Sequence, residues 1–276
     1  MTPMPETTDY TISDEALSAY ARDGVIHVPG AVGEDWLAMV AAGIERNCQQ
    51  PGPYFRDQTR NDNPARYVFD YWTWRDIPEF KDFVEHGPLP ALAARLMGED
   101  RVTLLMDNWF MNEAGATNAA PWHQDKPYFD YDGRMCNVLM ALDPTPLDES
   151  LSFAKGSHID NVTYKAIHFR DHVPFDGQSG DSYADIPDVD GDARFEITGW
   201  ALEPGDCLIF DLRTLHRGPI PGNPASSMRR RYSLRFGALD TVFSPRGVWT
   251  VEQSDHLIKM GQKVNGPVKN LLCPSL

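Results

Sequence analysis

The sequence predicts a mainly β fold with helices packed along its flanks. Short runs rich in branched and aromatic residues, each bounded by turn formers, recur at Val25–Val28 and at residues 101–111, 135–142, 195–200, 207–212 and 231–236. Helical periodicity is concentrated before residue 100 and returns only near the C-terminus. At 276 residues and 42% hydrophobic composition the chain can bury a substantial core, and β sandwiches and barrels of this length commonly form one domain. A single domain spanning residues 1–276 is therefore expected.

Taken in order, residues 1–12 read as a loose arm. Ser13-Asp14-Glu15 opens a capped helix whose apolar stripe is Ala16, Leu17 and Tyr20, and Gly24 stops it before the first strand. A second helix should run from residue 34 to about 48, turning Trp36, Leu37, Val40 and Ile44 inward. Residues 51–64, rich in Pro, Asn and Asp, make a long loop. The next stretch carries Tyr67, Phe69, Tyr71, Trp72 and Trp74. Its first reading is a strand or turn that packs the core, since large aromatics dominate cores, and its second is a wall of a substrate pocket. Residues 80–97 form a helix broken at Gly87-Pro88, and residues 112–134 link two strands. Residues 161–192 are rich in Asp, Ser, Gly and His with weak periodicity, and a long connection of that kind inside a compact domain is commonly a lid or insert. A last helix is expected over residues 251–263, followed by a packed or frayed tail.

Charge and cysteine usage narrow the function. A net charge of −15 argues against a general nucleic-acid binder or an anionic-membrane binder, which need a positive field. Cationic residues nevertheless crowd locally, with Arg213, Arg217, Arg229, Arg230, Arg231 and Arg235 in one short stretch. Cys48, Cys136, Cys207 and Cys273 are widely spaced and form no C-x-x-C pair, so they read as free thiols of a reducing compartment. The first 15 residues carry no apolar signal segment and no run approaches membrane-spanning length, which makes the expected location cytoplasmic.

The chemistry centres on Pro121-Trp122-His123-Gln124-Asp125-Lys126-Pro127. On a strand, His123 and Asp125 would point to the same face and present an imidazole beside a carboxylate. A third ligand is offered by His216, at the end of the apolar run 207–212 and just before Gly218-Pro219. Two His and one carboxylate on one face suit Fe(II) with open positions, and also catalytic Zn(II). A lone His on a strand is usually structural; His27, His86, His168, His172 and His256 lack comparable context, and His158 reads as turn support. After His216 comes Arg229-Arg230-Arg231-Tyr232-Ser233-Leu234-Arg235-Phe236, whose guanidinium groups can grip a carboxylate through two hydrogen bonds.

The order His-x-Asp, His, Arg resembles the phytanoyl-CoA dioxygenase (PhyH) family of Fe(II)- and 2-oxoglutarate-dependent oxygenases. Two further segments carry the resemblance: Tyr20-Ala21-Arg22-Asp23-Gly24-Val25-Ile26-His27-Val28-Pro29-Gly30 and Leu151-Ser152-Phe153-Ala154-Lys155-Gly156-Ser157-His158. Glu149-Ser150 stands where the family has Asn-Gly and Lys155 where it has Pro, departures in a connecting segment that leave the metal ligands intact.

The resemblance implies a double-stranded β-helix (jelly-roll, cupin-like) core, iron held by His123, Asp125 and His216, 2-oxoglutarate as cosubstrate and O2 as oxidant. Counting back from Ser233-Leu234-Arg235-Phe236 in the family pattern puts the 2-oxoglutarate anchor at Arg229, and strand alternation leaves Arg231 on the same face and Arg230 on the other. Family-like halogenases lack the carboxylate ligand, so Asp125 speaks for hydroxylation of a small molecule rather than halogenation. Desaturation, cyclisation and epimerisation use the same motif, and a non-catalytic or zinc-binding cupin-like domain is the alternative of another class. The surplus arginines and the aromatics at residues 67–74 and 128–131 point to a small polar substrate with an anionic group.

Overall fold

The computed structural model describes residues 5, 11–117, 119–169, 171–178, 182–220, 222–268 and, for the backbone alone, 272–273. Most of the N-terminal arm and of the C-terminal tail lies outside these residues, but Ile12 is buried in the core.

Helix α1 (Asp14–Asp23) begins as its sequence dictates, with Ser13 Oγ accepting from Ala16 N at 3.2 Å, and ends at Gly24, which takes φ 77°. Strand β1 (Val25–Val28) follows directly, then helix α2 (Glu34–Gln49), which buries Trp36, Val40 and Ile44 and leaves Leu37 half-buried. The long loop is interrupted by β2 (Arg56–Asp57) and leads into β3 (Tyr67–Tyr71). Gly87-Pro88 breaks the next helical stretch into α3 (Pro78–His86) and α4 (Leu89–Met97). There follow β4 (Val102–Asn112), β5 (Tyr131–Asp132), β6 (Met135–Ala141), β7 (Ser152–Ala154), β8 (Ile197–Gly199), β9 (Cys207–Asp211), β10 (His216–Arg217), β11 (Arg229–Gly237), β12 (Val242–Phe243), α5 (Val251–Lys259) and β13 (Leu272–Cys273).

The main sheet runs β1-β9-β6-β11-β4-β3-β2 with β13 on β4, and a small sheet runs β10-β7-β8; every strand pair is antiparallel. This is the jelly-roll core that the family resemblance implies. The two faces of β11 show how alternation divides the molecule. Tyr232, Leu234 and Phe236 face the helices, with Tyr232 stacked on Phe80 at 4.8 Å and beside Phe83 at 5.8 Å. The other face turns inward, where Phe153 of β7 packs on Phe210 of β9 at 5.1 Å and joins the two sheets.

Three readings change. Residues 195–200 shrink to the three-residue β8. Residues 161–192, read as lacking structure, contain the bridges Tyr164↔Ala184 and Ile167↔Pro174. His123 and Asp125 do not share a strand, as detailed below. Cys48, Cys136 and Cys207 are free thiols, while the side chain of Cys273 lies outside the described residues. Among the described residues no helix is long and apolar enough to cross a membrane.

Candidate metal centre

The centre is built where two chain segments meet at the mouth of the sandwich. His216 opens β10 and pairs with Phe153 on one side; on the other it forms a bridge with His123, each backbone N–H donating to the other's carbonyl at 2.9 Å. The segments stay close because Gly218 has no side chain: a Cβ there would sit 2.9 Å from Ala120 N. Past His123 the chain curls. Asp125 has helical backbone angles (φ −72°, ψ −35°) and starts a one-turn helix, Lys126–Tyr128, pinned by Lys126 N donating to Leu212 O at 2.9 Å. The carboxylate thus reaches the imidazoles by a turn and not by strand alternation.

His123, Asp125 and His216 are all buried, and their ligand atoms lie within 4.8 Å of one another. Asp125 Oδ1 is 3.7 Å from Nε2 of each imidazole. In both rings Nδ1 lies against a carbonyl oxygen, of Pro121 at 2.8 Å and of Thr214 at 2.9 Å. A carbonyl only accepts, so Nδ1 carries the proton and the Nε2 lone pair is left for a metal. Burial, reinforced by His123, pushes His216 down to about 3 despite Asp125, so the ring is neutral. Burial alone would raise the Asp125 carboxyl; the Arg235 guanidinium and the two imidazoles outweigh it and hold the group ionised, well below the usual carboxylate range. Two imidazoles that turn Nε2 toward an ionised carboxylate are the donor set that suits a divalent iron site.

Arg235, which the sequence placed in the arginine cluster without a role of its own, grips the Asp125 carboxylate. Its Nε and Nη2 hold Asp125 Oδ2 at 3.1 and 3.0 Å, while its Nη1 donates to Asn108 and its guanidinium lies 4.5 Å over Phe129. Asn137 Nδ2 adds a contact to the same Oδ2 at 3.3 Å, and Ser233 donates to Asn137 Oδ1 at 2.6 Å. Oδ2 is therefore occupied and Oδ1 faces the histidines. The available signal was period two along β11, which puts Arg235 on the face of Arg229 and Arg231.

The three consecutive arginines divide as alternation requires. Arg230 points outward, its Nε and Nη2 donating to Asp143 at 2.9 and 2.8 Å. Arg229 is only 3% exposed; its Nη1 donates to Glu149 O at 2.6 Å and lies 3.4 Å from Glu149 Oε2, so the departure at residue 149 touches the first-ranked anchor. The Arg231 guanidinium donates to Asn112 Oδ1 at 3.1 Å, lies 5.5 Å over Phe110, and is pushed down to about 10, chiefly by burial. The Nε atoms of Arg229 and Arg231 have no hydrogen-bond partner among the described residues.

Described residues of segment 161–192 lie against this centre. Phe169 lies 4.6 Å from the His123 ring, Tyr128 donates to Ile167 O at 2.8 Å and accepts from Ile167 N at 2.8 Å, and Gln124 Nε2 donates to Val162 O at 3.0 Å. Two further histidines have partners elsewhere: His27 pairs with Asp206 at 2.9 Å, and His158 Nε2 lies 3.2 Å from Ala21 O.

The phytanoyl-CoA dioxygenase (PhyH) family model matches residues 20–230, a span that includes His123, Asp125, His216 and Arg229. The chain belongs to the phytanoyl-CoA dioxygenase family. A curated relative, the dioxygenase FrzG of Cladobotryum sp, is 28% identical over 170 residues, 56% of this chain and 48% of FrzG, so the chain spans about half of that protein's length. Among solved structures, SnoK, a non-heme alpha ketoglutarate dependent carbocyclase from nogalamycin biosynthesis, superposes with TM-score 0.72 at 19% identity over 95% of this chain and 96% of its own. The epimerase SnoN, in complex with Fe3+, alpha ketoglutarate and nogalamycin RO, gives TM-score 0.69 at 17% identity over 93% and 95%. At such identities these two structures bear on the fold of this PhyH protein and not on its reaction.

Proposed function

We propose that this protein is a single-domain Fe(II)/2-oxoglutarate-dependent dioxygenase that hydroxylates a small molecule. The observation that carries the reading is the convergence of two imidazole Nε2 atoms and Asp125 Oδ1, with both tautomers fixed by backbone carbonyls and the second carboxylate oxygen held by Arg235. His123, Asp125 and His216 would hold the iron. Bound iron, with 2-oxoglutarate and O2, supplies an oxidant able to attack an unactivated C–H bond while the cosubstrate loses CO2 and becomes succinate. Arg229 would grip the distal carboxylate of 2-oxoglutarate, with Arg231 on the same face as the second candidate.

The chain's own contribution is positioning and exclusion of water. Phe169 and segment 161–192 act as a lid over the open side of the centre. Hydroxylation is favoured over epimerisation because an epimerase must return hydrogen to the substrate from a group beside it. Tyr128, the phenol lying 5.8 Å from the His123 ring, has its hydroxyl engaged by Ile167 as both donor and acceptor. Arg231, whose Nε has no hydrogen-bond partner among the described residues, supports an anionic group on the substrate.

Succinate release by the Fe(II)-loaded and Zn(II)-loaded chain, across small anionic metabolites, acyl-CoA thioesters and neutral terpenoids, tests the reading. Iron-dependent, substrate-stimulated succinate with a product 16 mass units heavier is expected from the anionic panel. Absence of 2-oxoglutarate turnover with iron would sink the enzyme assignment, and products of unchanged mass or lighter by 2 would replace hydroxylation with epimerisation or with desaturation or ring closure.

A further inference from the structure

Among the described residues, the apolar packing of the small sheet reaches only part of the main sheet's inner face. The cluster that Phe153 builds there draws on Val25 of β1, Leu208 and Phe210 of β9, and Leu139 and Ala141 of β6. Strands β11, β4 and β3 continue the same sheet and add no residue to that cluster. Their register shows what they turn inward. Arg231 lies opposite Phe110, which lies opposite Phe69, and Arg229 lies opposite Asn112, which lies opposite Tyr67. Residues opposite one another share a face.

Tyr67, Phe69, Phe110 and Arg231 are all partly exposed, whereas Val68 and Trp109, on the other face of β3 and β4, are fully buried. The three aromatics belong to none of the apolar clusters of the described residues. They meet one another instead, the Phe69 ring centre lying 5.7 Å from both Tyr67 and Phe110 with the planes tilted by 46° and 44°. Neighbouring aromatics that the core does not claim mark a surface on which a ligand can displace water. The row adjoins the metal centre: Asn108, the next inward position of β4, accepts from Arg235, which holds Asp125.

Charge narrows the ligand. Of the three inward guanidinium groups, Arg229 lies 3.4 Å from Glu149 and Arg235 lies 3.0 Å from Asp125, while Arg231 has no carboxylate partner among the described residues. A half-buried cation without a counter-charge favours an anion. At the other end of the row Arg56 lies 5.7 Å over Tyr71, and Arg231 lies 5.5 Å over Phe110, so guanidinium groups stand at both ends and a cationic ligand would be repelled.

We infer that this part of the sheet binds the substrate and that the substrate is a planar aromatic acid. Its carboxylate pairs with the Arg231 guanidinium, and its ring lies against Phe69 and Phe110. A saturated body of the same size would bury similar area without the ring–ring attraction, and a neutral one would leave Arg231 without its counter-charge. The inference rests on the oxygenase reading only in calling the ligand a substrate.

The test is calorimetric titration of the chain loaded with Zn(II), which has no redox chemistry and so no turnover. The probes are 2-naphthoate, decahydro-2-naphthoate and 2-naphthamide, each with and without saturating 2-oxoglutarate. Saturable 2-naphthoate binding is expected, about tenfold or more tighter than the amide and about threefold or more tighter than the saturated acid, with 2-oxoglutarate changing it by less than about twofold. Arg231→Met should erase the preference for acid over amide, and Phe69→Leu the preference for the aromatic over the saturated acid. Should a variant fail to fold, the ranking of the probes on the unaltered chain decides. No saturable naphthoate binding, equal affinity for the amide or the saturated acid, or an unchanged ranking in a folded variant would overturn the proposal. Displacement of naphthoate by 2-oxoglutarate would also overturn it and make Arg231 the cosubstrate anchor. Iron-dependent succinate release is a separate measurement, so the oxygenase reading can stand where this inference fails.

Discussion

Arg235 fixes how Asp125 can meet a metal. With Oδ2 taken by Nε and Nη2, only Oδ1 is presented, and the guanidinium keeps the carboxylate ionised and fixed in orientation. Arg235→Met should weaken Fe(II) binding by about tenfold or more, measured by metal competition on the resting protein, while circular dichroism stays native. Unchanged affinity would make Arg235 a packing residue. Arg229 makes a second residue-scale prediction. Arg229→Ala should raise the KM for 2-oxoglutarate by about thirtyfold, on the order of 2 kcal/mol for a lost charge-assisted contact, and Arg230→Ala should leave it near its original value. A large effect confined to Arg231→Ala would move the anchor two positions along the same face. The ligands were legible in sequence because His-x-Asp, a distant His and an arginine run form a rare combination. Arg235 was not, because a single arginine in an apolar strand shows its role only when the partner across the sandwich is known.

Among the elements, β11 was the most legible, since alternation put Arg229 and Arg231 on one face and Arg230 on the other, as found. The His-x-Asp segment was the least, because a turn and a strand can bring the same two side chains together and periodicity cannot distinguish them across three residues. Gly24 shows a helix stop serving a second purpose. It ends α1, and a Cβ there would lie 2.4 Å from Thr214 Oγ1 and 2.5 Å from His158 Nδ1. Thr214 accepts the Nδ1 proton of His216, so crowding at Gly24 reaches the metal ligand through one residue. Gly24→Ala combines a left-handed φ with a steric clash and should cost about 2 kcal/mol or more, lowering Tm by roughly 5 °C in thermal denaturation. A Tm within a degree or so of the original would mean that the α1 stop tolerates a side chain.

For the whole molecule, composition foretold an acidic protein with a locally basic site, and the fold concentrates that charge: Arg229, Arg231 and Arg235 share the inward face of one strand. Burial also writes a pH dependence into stability. Asp107 is raised to about 6 by burial, despite hydrogen bonds from Thr73 and Tyr232. The folded chain holds that proton more tightly than the unfolded chain, so its contribution is complete below about pH 4 and is lost as pH rises through about 6. Asp107→Asn should therefore gain on the native chain between pH 4.5 and 7.5, read as a Tm difference that grows with pH; a constant difference would refute the shift. The backbone bridge between His123 and His216 has a thermodynamic consequence of its own. Two carbonyl-to-amide bonds already join segments that are far apart in sequence, and both imidazoles are already held by carbonyls before any ion is considered. Loading a metal then buries little new apolar surface and orders little chain, so calorimetry should find a heat-capacity change near zero for iron uptake, unlike the large negative value of a domain that folds around its ion.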